Sequence, residues 1–322
     1  MYLDLKMTDL YYAARDLVEV KNLLNKKSYK QKTIDSVLIG AAEYGHLEIV
    51  EYLVNKGANI YAQNNSALIG AVYYDHLKVV EYLVDKGADV TAQNNLALIR
   101  AAEFGYFEVV EYLVKKGAYV TAQDNIALIR AAEFGRLDIV KFLVENGADV
   151  TARDNRAVIN AASNDHLAVV QYLVEKGADV ATRNNEALIN AASNGHLVVV
   201  QYLVEKGANV TAQNNSALIK AALGYHIKIV NFLLEYGARD QDYTALTDLI
   251  ENEDEDEDKD KKETIIKRLL EYYYPREVIE DLLPQTENPK IISLLQGYLN
   301  QKFLISSQDQ ILLGGDKLNI DK

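Results

Sequence analysis

The side chains in this sequence best suited to acid–base or metal chemistry are five histidines: His46, His76, His166, His196 and His226. They are separated by thirty residues or a multiple of thirty, so each occupies the same place in a different copy of a repeating unit. Metal ligands must converge on one point, and equivalent residues of stacked repeats lie a layer apart. Tyr106 and Arg136 stand at the same position in two further copies. That exchange suits packing or turn bonding better than catalysis. With no cysteine, thiolate chemistry and disulfides are excluded. No serine or acid pairs with a base outside the repeat pattern, and no glycine opens a strand-to-helix phosphate loop. The acidic run from Glu251 to Asp260 lacks the glycine and spacing of a calcium loop. It reads as a solvated loop that can attract a basic partner. No catalytic, cofactor-binding or metal-binding residue is therefore assigned, and the protein is expected not to be an enzyme.

The elements that position these residues recur on a thirty-residue period. Gly57, Gly87, Gly117, Gly147, Gly177, Gly207 and Gly237 mark the same place in seven copies, and Ala-Ala pairs such as Ala101-Ala102 and Ala131-Ala132 keep step. The stretch from Ser66 to Gln93, SALIGAVYYDHLKVVEYLVDKGADVTAQ, is representative. It reads as two short helices. The first carries Ala67, Leu68, Ile69 and Ala71; the second is predicted to align Leu77, Val80, Leu83 and Val84 on one face. Gly45, Asp75, Gly105, Gly135, Asp165 and Gly195 separate the two helices, where a positive φ ends the first. One copy has Tyr225 there, directly after Gly224, which predicts a shift of the turn register.

Two helices this short are marginal alone and become stable by stacking. The fold class expected is therefore an all-α solenoid of helix-turn-helix repeats. Residues 1–35 read as a divergent N-terminal capping repeat and residues 36–240 as seven repeats. Residues 241–274 read as a C-terminal capping repeat with the acidic insertion 251–260, residues 275–306 as further helices, and residues 307–322 as a loose tail.

Over residues 8–274 these units resemble ankyrin repeats. SALIGAV stands where that family has T-P-L-H-x-A-A, and HLKVVEYLVDKGADV follows its G-H-x-x-V-V-x-x-L-L-x-x-G-A-D-V. The family period is about 33 residues. The shortfall lies between Ala62 and Ser66, where the family carries its hairpin finger, so blunt fingers are expected. The family's proline is replaced by Val37, Ala67 and Ala97, and its histidine by Ile39, Ile69, Ile99, Ile129, Ile159, Ile189 and Ile219. Apolar packing is expected to replace the inter-repeat hydrogen bonds of that histidine. The thirty-residue period and the Asn- and Tyr-rich composition resemble the ankyrin proteins of giant DNA viruses of amoebae.

The resemblance implies a partner-binding site. In ankyrin proteins the two residues after Ala-Ala commonly face a concave groove. Here they are Glu43-Tyr44, Tyr73-Tyr74, Glu103-Phe104, Glu133-Phe134, Ser163-Asn164, Ser193-Asn194 and Leu223-Gly224, a pair that varies while the core letters hardly change. Tyr44, Tyr74, Phe104 and Phe134 form an aromatic column of the kind that supplies interface hot spots. Arg100 and Arg130 are expected to frame it with positive charge. The alternative reading is that the rings pack on one another along the stack. A second column, Tyr52, Tyr82, Tyr112, Phe142, Tyr172, Tyr202 and Phe232, varies little and reads as packing between repeats.

The function expected is a non-enzymatic scaffold that binds a protein, of a host cell under the viral resemblance, through the concave face. The alternative is an adaptor whose C-terminal helices dock a second machine such as a ubiquitin ligase. A net charge of −13 without a basic stripe argues against nucleic acid. No apolar run approaches the roughly 20 residues that span a bilayer. No small-molecule substrate or cofactor is implied. The charged start, Met1 to Lys6, and the missing cysteines point to an intracellular, soluble protein.

Overall fold

The computed structural model describes residues 16–26, 29–251, 259–272 and 274–304. Among them the regular structure is helical. The first fifteen residues of the expected N-terminal capping repeat, most of the acidic insertion (252–258) and the tail at 307–322 lie outside the described residues. The chain divides into two units, residues 1–179 and residues 180–322.

In the first unit, elements of 12–13 residues, most of them helical only beyond a left-handed turn near their start, alternate with helices of nine, as in Ala62–Tyr73 followed by Leu77–Asp85 and Ala92–Phe104 followed by Phe107–Lys115. The longer helices pack on one another through small residues. Ala97, Ala101 and Ala102 are buried beside Leu98, which lets successive backbones approach closely. The buried side of a nine-residue helix is Val79, Val80 and Leu83, and its equivalents recur in every copy. Leu77 and Val84 are only half-buried, so the core face is rotated from the one the spacing predicts. Each nine-residue helix stops in one way. Gly57, at φ 88, donates to the carbonyl of Val54, and Ala58 donates to that of Leu53. This paired closure satisfies carbonyls that the helix end leaves open.

The segment that replaces the finger is a left-handed turn. Gln63, Asn64 and Asn65 have φ of 49°, 57° and 63°, and five further copies at 93–95, 123–125, 153–155, 183–185 and 213–215 repeat the conformation. Left-handed backbone costs an L-residue roughly 1–2 kcal/mol, least for Asn and Asp. The third residue of every one of these triplets is Asn, and the second is Asn or Asp. The Asn-rich composition thus has a conformational cause.

A hydrogen-bond ladder offsets the strain. Asn65 Oδ1 accepts from the Asp89 amide at 2.9 Å, Asn95 from Tyr119 at 2.7 Å, Asn125 from Asp149 at 2.8 Å and Asn155 from Asp179 at 2.8 Å. Asp35 does the same for the Asn59 amide at 2.8 Å. All five acceptors are buried. A second rung joins successive turns, with Gln93 Nε2 donating to the Asn64 carbonyl and Gln123 Nε2 to that of Asn94, each at 3.0 Å. The expectation that apolar packing replaces polar links is therefore corrected. Ile99, Ile129 and Ile159 are buried, but the polar link has moved to the Asn four residues earlier. A loop amide covered by the next turn still needs an acceptor.

The second unit continues the pattern with Thr182–Ser193 and Leu197–Glu205, then Ala212–Leu223 and Ile227–Glu235. Asn185 and Asn215 carry its ladder, to the amides of Asn209 and Arg239. Here the predicted register shift does not occur. Tyr225 itself takes the positive φ, 55°, while Gly224 stays right-handed at −84°. The His226 amide still reaches the Ala221 carbonyl at 2.9 Å, as its counterparts do elsewhere. The His226 ring also lies where a Cβ on residue 224 would stand. The repeat geometry therefore outweighs the preference of tyrosine. Tyr225→Gly is expected to raise the unfolding free energy by about 1 kcal/mol, read as a higher urea midpoint. A lower midpoint would mean that the half-buried tyrosine ring contributes more than its backbone costs. Beyond the repeats lie Thr244–Glu251, Lys259–Leu269, Arg276–Leu282 and Pro289–Leu299. The last starts from Asn288, which caps the amides of Lys290 and Ile291, with Pro289 in the first turn.

Candidate partner-binding surface

The variable pairs sit where the longer helices end. Glu43 closes Gln31–Glu43 with Tyr44 as its C-cap, Tyr73 closes Ala62–Tyr73 with Tyr74 as C-cap, and Glu133 with Phe134 repeats this. Phe104 is the last residue of Ala92–Phe104. A helix C-terminus leaves carbonyls open, and the histidine position of the next repeat fills one of them. His76 Nε2 donates to the Glu43 carbonyl and His166 Nε2 to that of Glu133, both at 3.0 Å. Tyr106 reaches the Tyr73 carbonyl at 3.4 Å through its hydroxyl, and Arg136 reaches that of Glu103 at 3.3 Å through Nε. In the second unit His226 does the same to Ser193 at 3.0 Å. His76, His166 and His226 are thus clamps between repeats. The sequence reading of packing or turn bonding did not place the bond between repeats, although His, Tyr and Arg share one property, a donor at the end of a side chain.

The pairs present their rings outward. Tyr44, Tyr73, Tyr74 and Phe134 are 41–56% exposed, and Phe104 is half-buried. Across repeats, Phe104 meets Tyr73 edge-on at 5.0 Å. Tyr73 also meets Tyr74 at 4.9 Å, and Phe104 lies 5.7 Å from Tyr106. These contacts gather Tyr73, Tyr74, Phe104 and Tyr106 into a cluster in the middle of the set. Tyr44 stands beside His46 at 6.2 Å, and Tyr74 stacks on His76 at 6.5 Å.

Arg100 and Arg130 do not frame the rings with free positive charge. Arg100 Nη1 pairs with Glu103 Oε2 at 2.8 Å, and Arg130 Nη1 with Glu133 Oε2 at 2.9 Å. Asn160 Nδ2 adds a bond to the same Glu133 oxygen at 3.2 Å. Residues three apart share a helix face, so each glutamate neutralises the arginine one turn before it. Such half-exposed pairs orient side chains more than they stabilise the fold.

The second column is built differently. Its rings are half-buried, and the lysine four residues on lies over them: Lys56 on Tyr52 at 5.7 Å, Lys86 on Tyr82 at 5.5 Å and Lys116 on Tyr112 at 5.3 Å. The Tyr112 hydroxyl shares its one proton between Asp85 Oδ1 at 3.0 Å and the Glu81 carbonyl at 3.2 Å. Hydrogen bonds from Lys116 and Tyr112 hold the Asp85 carboxyl below the usual range. Burial, with the Glu51 charge behind it, pushes the Tyr82 hydroxyl up. This column packs repeats together and offers little free surface.

Among the described residues, no three His, Cys, Asp or Glu side chains gather in a group that could hold a metal ion. No described helix is long and apolar enough to cross a membrane. A search of curated proteins finds no match. The family model for ankyrin repeats (3 copies) matches residues 10–94, 91–154 and 154–214, which together span more than half of the sequence. Paired helices on a fixed period, left-handed exits and clamps between copies are thus the local form of a known repeat, and the chain belongs to the ankyrin repeat family.

Proposed function

We propose that this ankyrin repeat protein is a non-enzymatic scaffold that binds a protein partner through the face carrying Glu43, Tyr44, Tyr73, Tyr74, Glu103, Phe104, Glu133 and Phe134. One observation carries the reading. Five rings crowd a pair of repeat positions whose letters change while the core letters hardly do, and four of them keep more than two-fifths of their surface in water. Fixed helix ends hold those rings, so little ordering entropy opposes binding. Arg100 and Arg130 act in this reading by orienting Glu103 and Glu133. Under the likeness to giant-virus ankyrin proteins, the partner belongs to the infected cell.

The test is crosslinking capture from such a lysate with the wild-type chain and a variant carrying Ala at Tyr44, Tyr74, Phe104 and Phe134. Circular dichroism confirms that the variant folds. The expected result is a defined set of captured proteins that the variant reduces about 100-fold, since losing about 3 kcal/mol of hot-spot energy amounts to that. Equal capture by both would rule out this face.

A second reading, the adaptor, draws on the C-terminal helices. An open depression of about 460 Å³ lies there, lined by Lys267, Leu270, Glu271, Ser293, Leu294 and Gly297 among others. Partners that the four-ring variant retains, and that Leu294→Asp loses, would favour it.

A further inference from the structure

One copy of the glutamate differs from its equivalents. Glu103 has Arg100 three residues before it, and Glu133 has Arg130 before it and Asn160 twenty-seven residues after it. For Glu43 the corresponding residues are Gly40 and Gly70. Both sites that supply a partner elsewhere are therefore glycine. Among the described residues the Glu43 carboxylate has no hydrogen bond or ion pair. Its stem lies directly over Gly70, whose missing Cβ would stand 2.5 Å from Glu43 Cγ. An open hollow of about 380 Å³ forms there, lined by Glu43, Ser66, Ile69, Gly70, Tyr73, Tyr74 and Gln93.

Glycine inside a helix is a cost, roughly 0.8–1 kcal/mol against alanine. Here two such residues leave an acid half-buried with no charge partner among the described residues. Desolvation already holds its carboxyl above the usual range. Beside it stand two tyrosine rings whose faces attract cations, and a planar guanidinium suits both a carboxylate and a ring.

We propose that the hollow formed by Glu43, Gly70, Tyr73 and Tyr74 is a seat for an arginine side chain of the bound protein. It rests on the partner-binding reading of the same face and names the chemistry of one anchor. The incoming guanidinium takes the role that Arg100 and Arg130 play within their own repeats. The repeat array thereby converts an internal ion pair into an intermolecular one.

The test titrates the full chain with N-acetyl-arginine methylamide, following the tyrosine ring and glutamate carboxyl resonances by NMR. Its neutral citrulline analogue and the lysine analogue are titrated in parallel. Saturable shifts at Tyr73, Tyr74 and Glu43 are expected in the millimolar range, on the order of what so small a ligand can reach. The citrulline analogue should bind at least about 10-fold more weakly, because the charge-assisted bonds are lost. Glu43→Gln should weaken the arginine probe by a similar factor. Gly40→Arg should do so too, by supplying the missing internal partner while circular dichroism stays unchanged. Equal binding of the arginine and citrulline probes, or full binding to Glu43→Gln, overturns the seat. Tighter binding of the lysine analogue overturns its assignment to a guanidinium. If the four-ring variant loses its captured proteins while the arginine probe gives no saturable shift, the scaffold reading stands and the seat falls. Glu43-dependent arginine binding with capture intact in that variant sinks the ring surface, and with it the assignment of the seat to a captured protein.

Discussion

Asn125→Ala should lower the unfolding free energy by about 3 kcal/mol, a large share of what holds a typical domain together. Two effects add. The Oδ1 that accepts from the Asp149 amide disappears, and that amide is left without its acceptor beneath a buried side chain. An unsatisfied buried donor alone costs about 1–3 kcal/mol. Alanine must also hold φ at 63°, which asparagine tolerates better. Two companions separate these contributions. Asn125→Gly relieves the backbone but loses the acceptor, so it should fall between wild type and the alanine variant. Asn125→Asp keeps an acceptor, as Asp35 does for Asn59, and should cost least. Urea unfolding followed by circular dichroism gives the free energies, and hydrogen exchange at the Asp149 amide localises the damage. An alanine variant within 0.5 kcal/mol of wild type, by an order-of-magnitude standard for surface changes, would show that the ladder carries no weight.

That ladder marks where the sequence was hardest to read. The period, the paired helices and the glycine exits were legible because each follows from a local rule about hydrophobic spacing or positive φ. Three successive left-handed residues follow from no such rule, since that conformation normally visits single positions. The signal lay in the asparagine at 65, 95, 125, 155, 185 and 215, kept at one place in six copies with Asp35 in the seventh. It was read as the remnant of a shortened finger. Tyr225 misled in the opposite way. Glycine is the better left-handed residue, but the bonds at either end of the turn had already fixed which position would bend. The rotation of the core face from Leu77 and Val84 to Val79 and Val80 has a geometric cause. A helix of nine residues is covered on two sides, by its own partner helix and by the next repeat, so one stripe cannot describe it.

For the candidate surface, the sequence located the variable pairs and their rings but not their charges. Arg100 and Arg130 were read against the rings four residues on, whereas the glutamates three residues on reach them first. The consequence appears only by comparison among copies. Once the internal pairs are recognised, the place where both partners are glycine stands out, and no composition or periodicity argument would have found it.

The second large effect is expected at Asp240, where the repeats hand over to the C-terminal helices. Its Oδ1 accepts from the Ala245 amide and its Oδ2 from the Leu246 amide, each at 3.0 Å, so it caps the helix Thr244–Glu251 from a distance. Oδ2 also accepts from the Tyr274 hydroxyl at 3.0 Å. Tyr274 is 2% exposed, and its amide donates to the Tyr298 hydroxyl at 2.7 Å, which ties the helix Pro289–Leu299 into the same network. Asp240→Ala leaves two amides and a buried hydroxyl without an acceptor, a loss of about 3–5 kcal/mol. Tyr274→Phe removes one bond and spares the ring packing, so it should cost about 1 kcal/mol.

A pH series distinguishes the carboxylate from a merely well-packed residue. Desolvation raises the folded carboxyl of Asp240 above its usual value, against the pull of its three hydrogen bonds. The folded state therefore binds this proton more readily than the unfolded chain does. Stability from this group is full below the ordinary aspartate range and declines as pH rises from there through the raised folded value. Asp240→Asn cannot titrate, so its stability difference from wild type should change with pH, from about pH 4 upward, most steeply where the folded carboxyl ionises. Urea midpoints of the two proteins measure this directly. A difference that stays flat across the series would mean that the two states hold the proton equally, and the buried network would then owe its strength to shape rather than to charge.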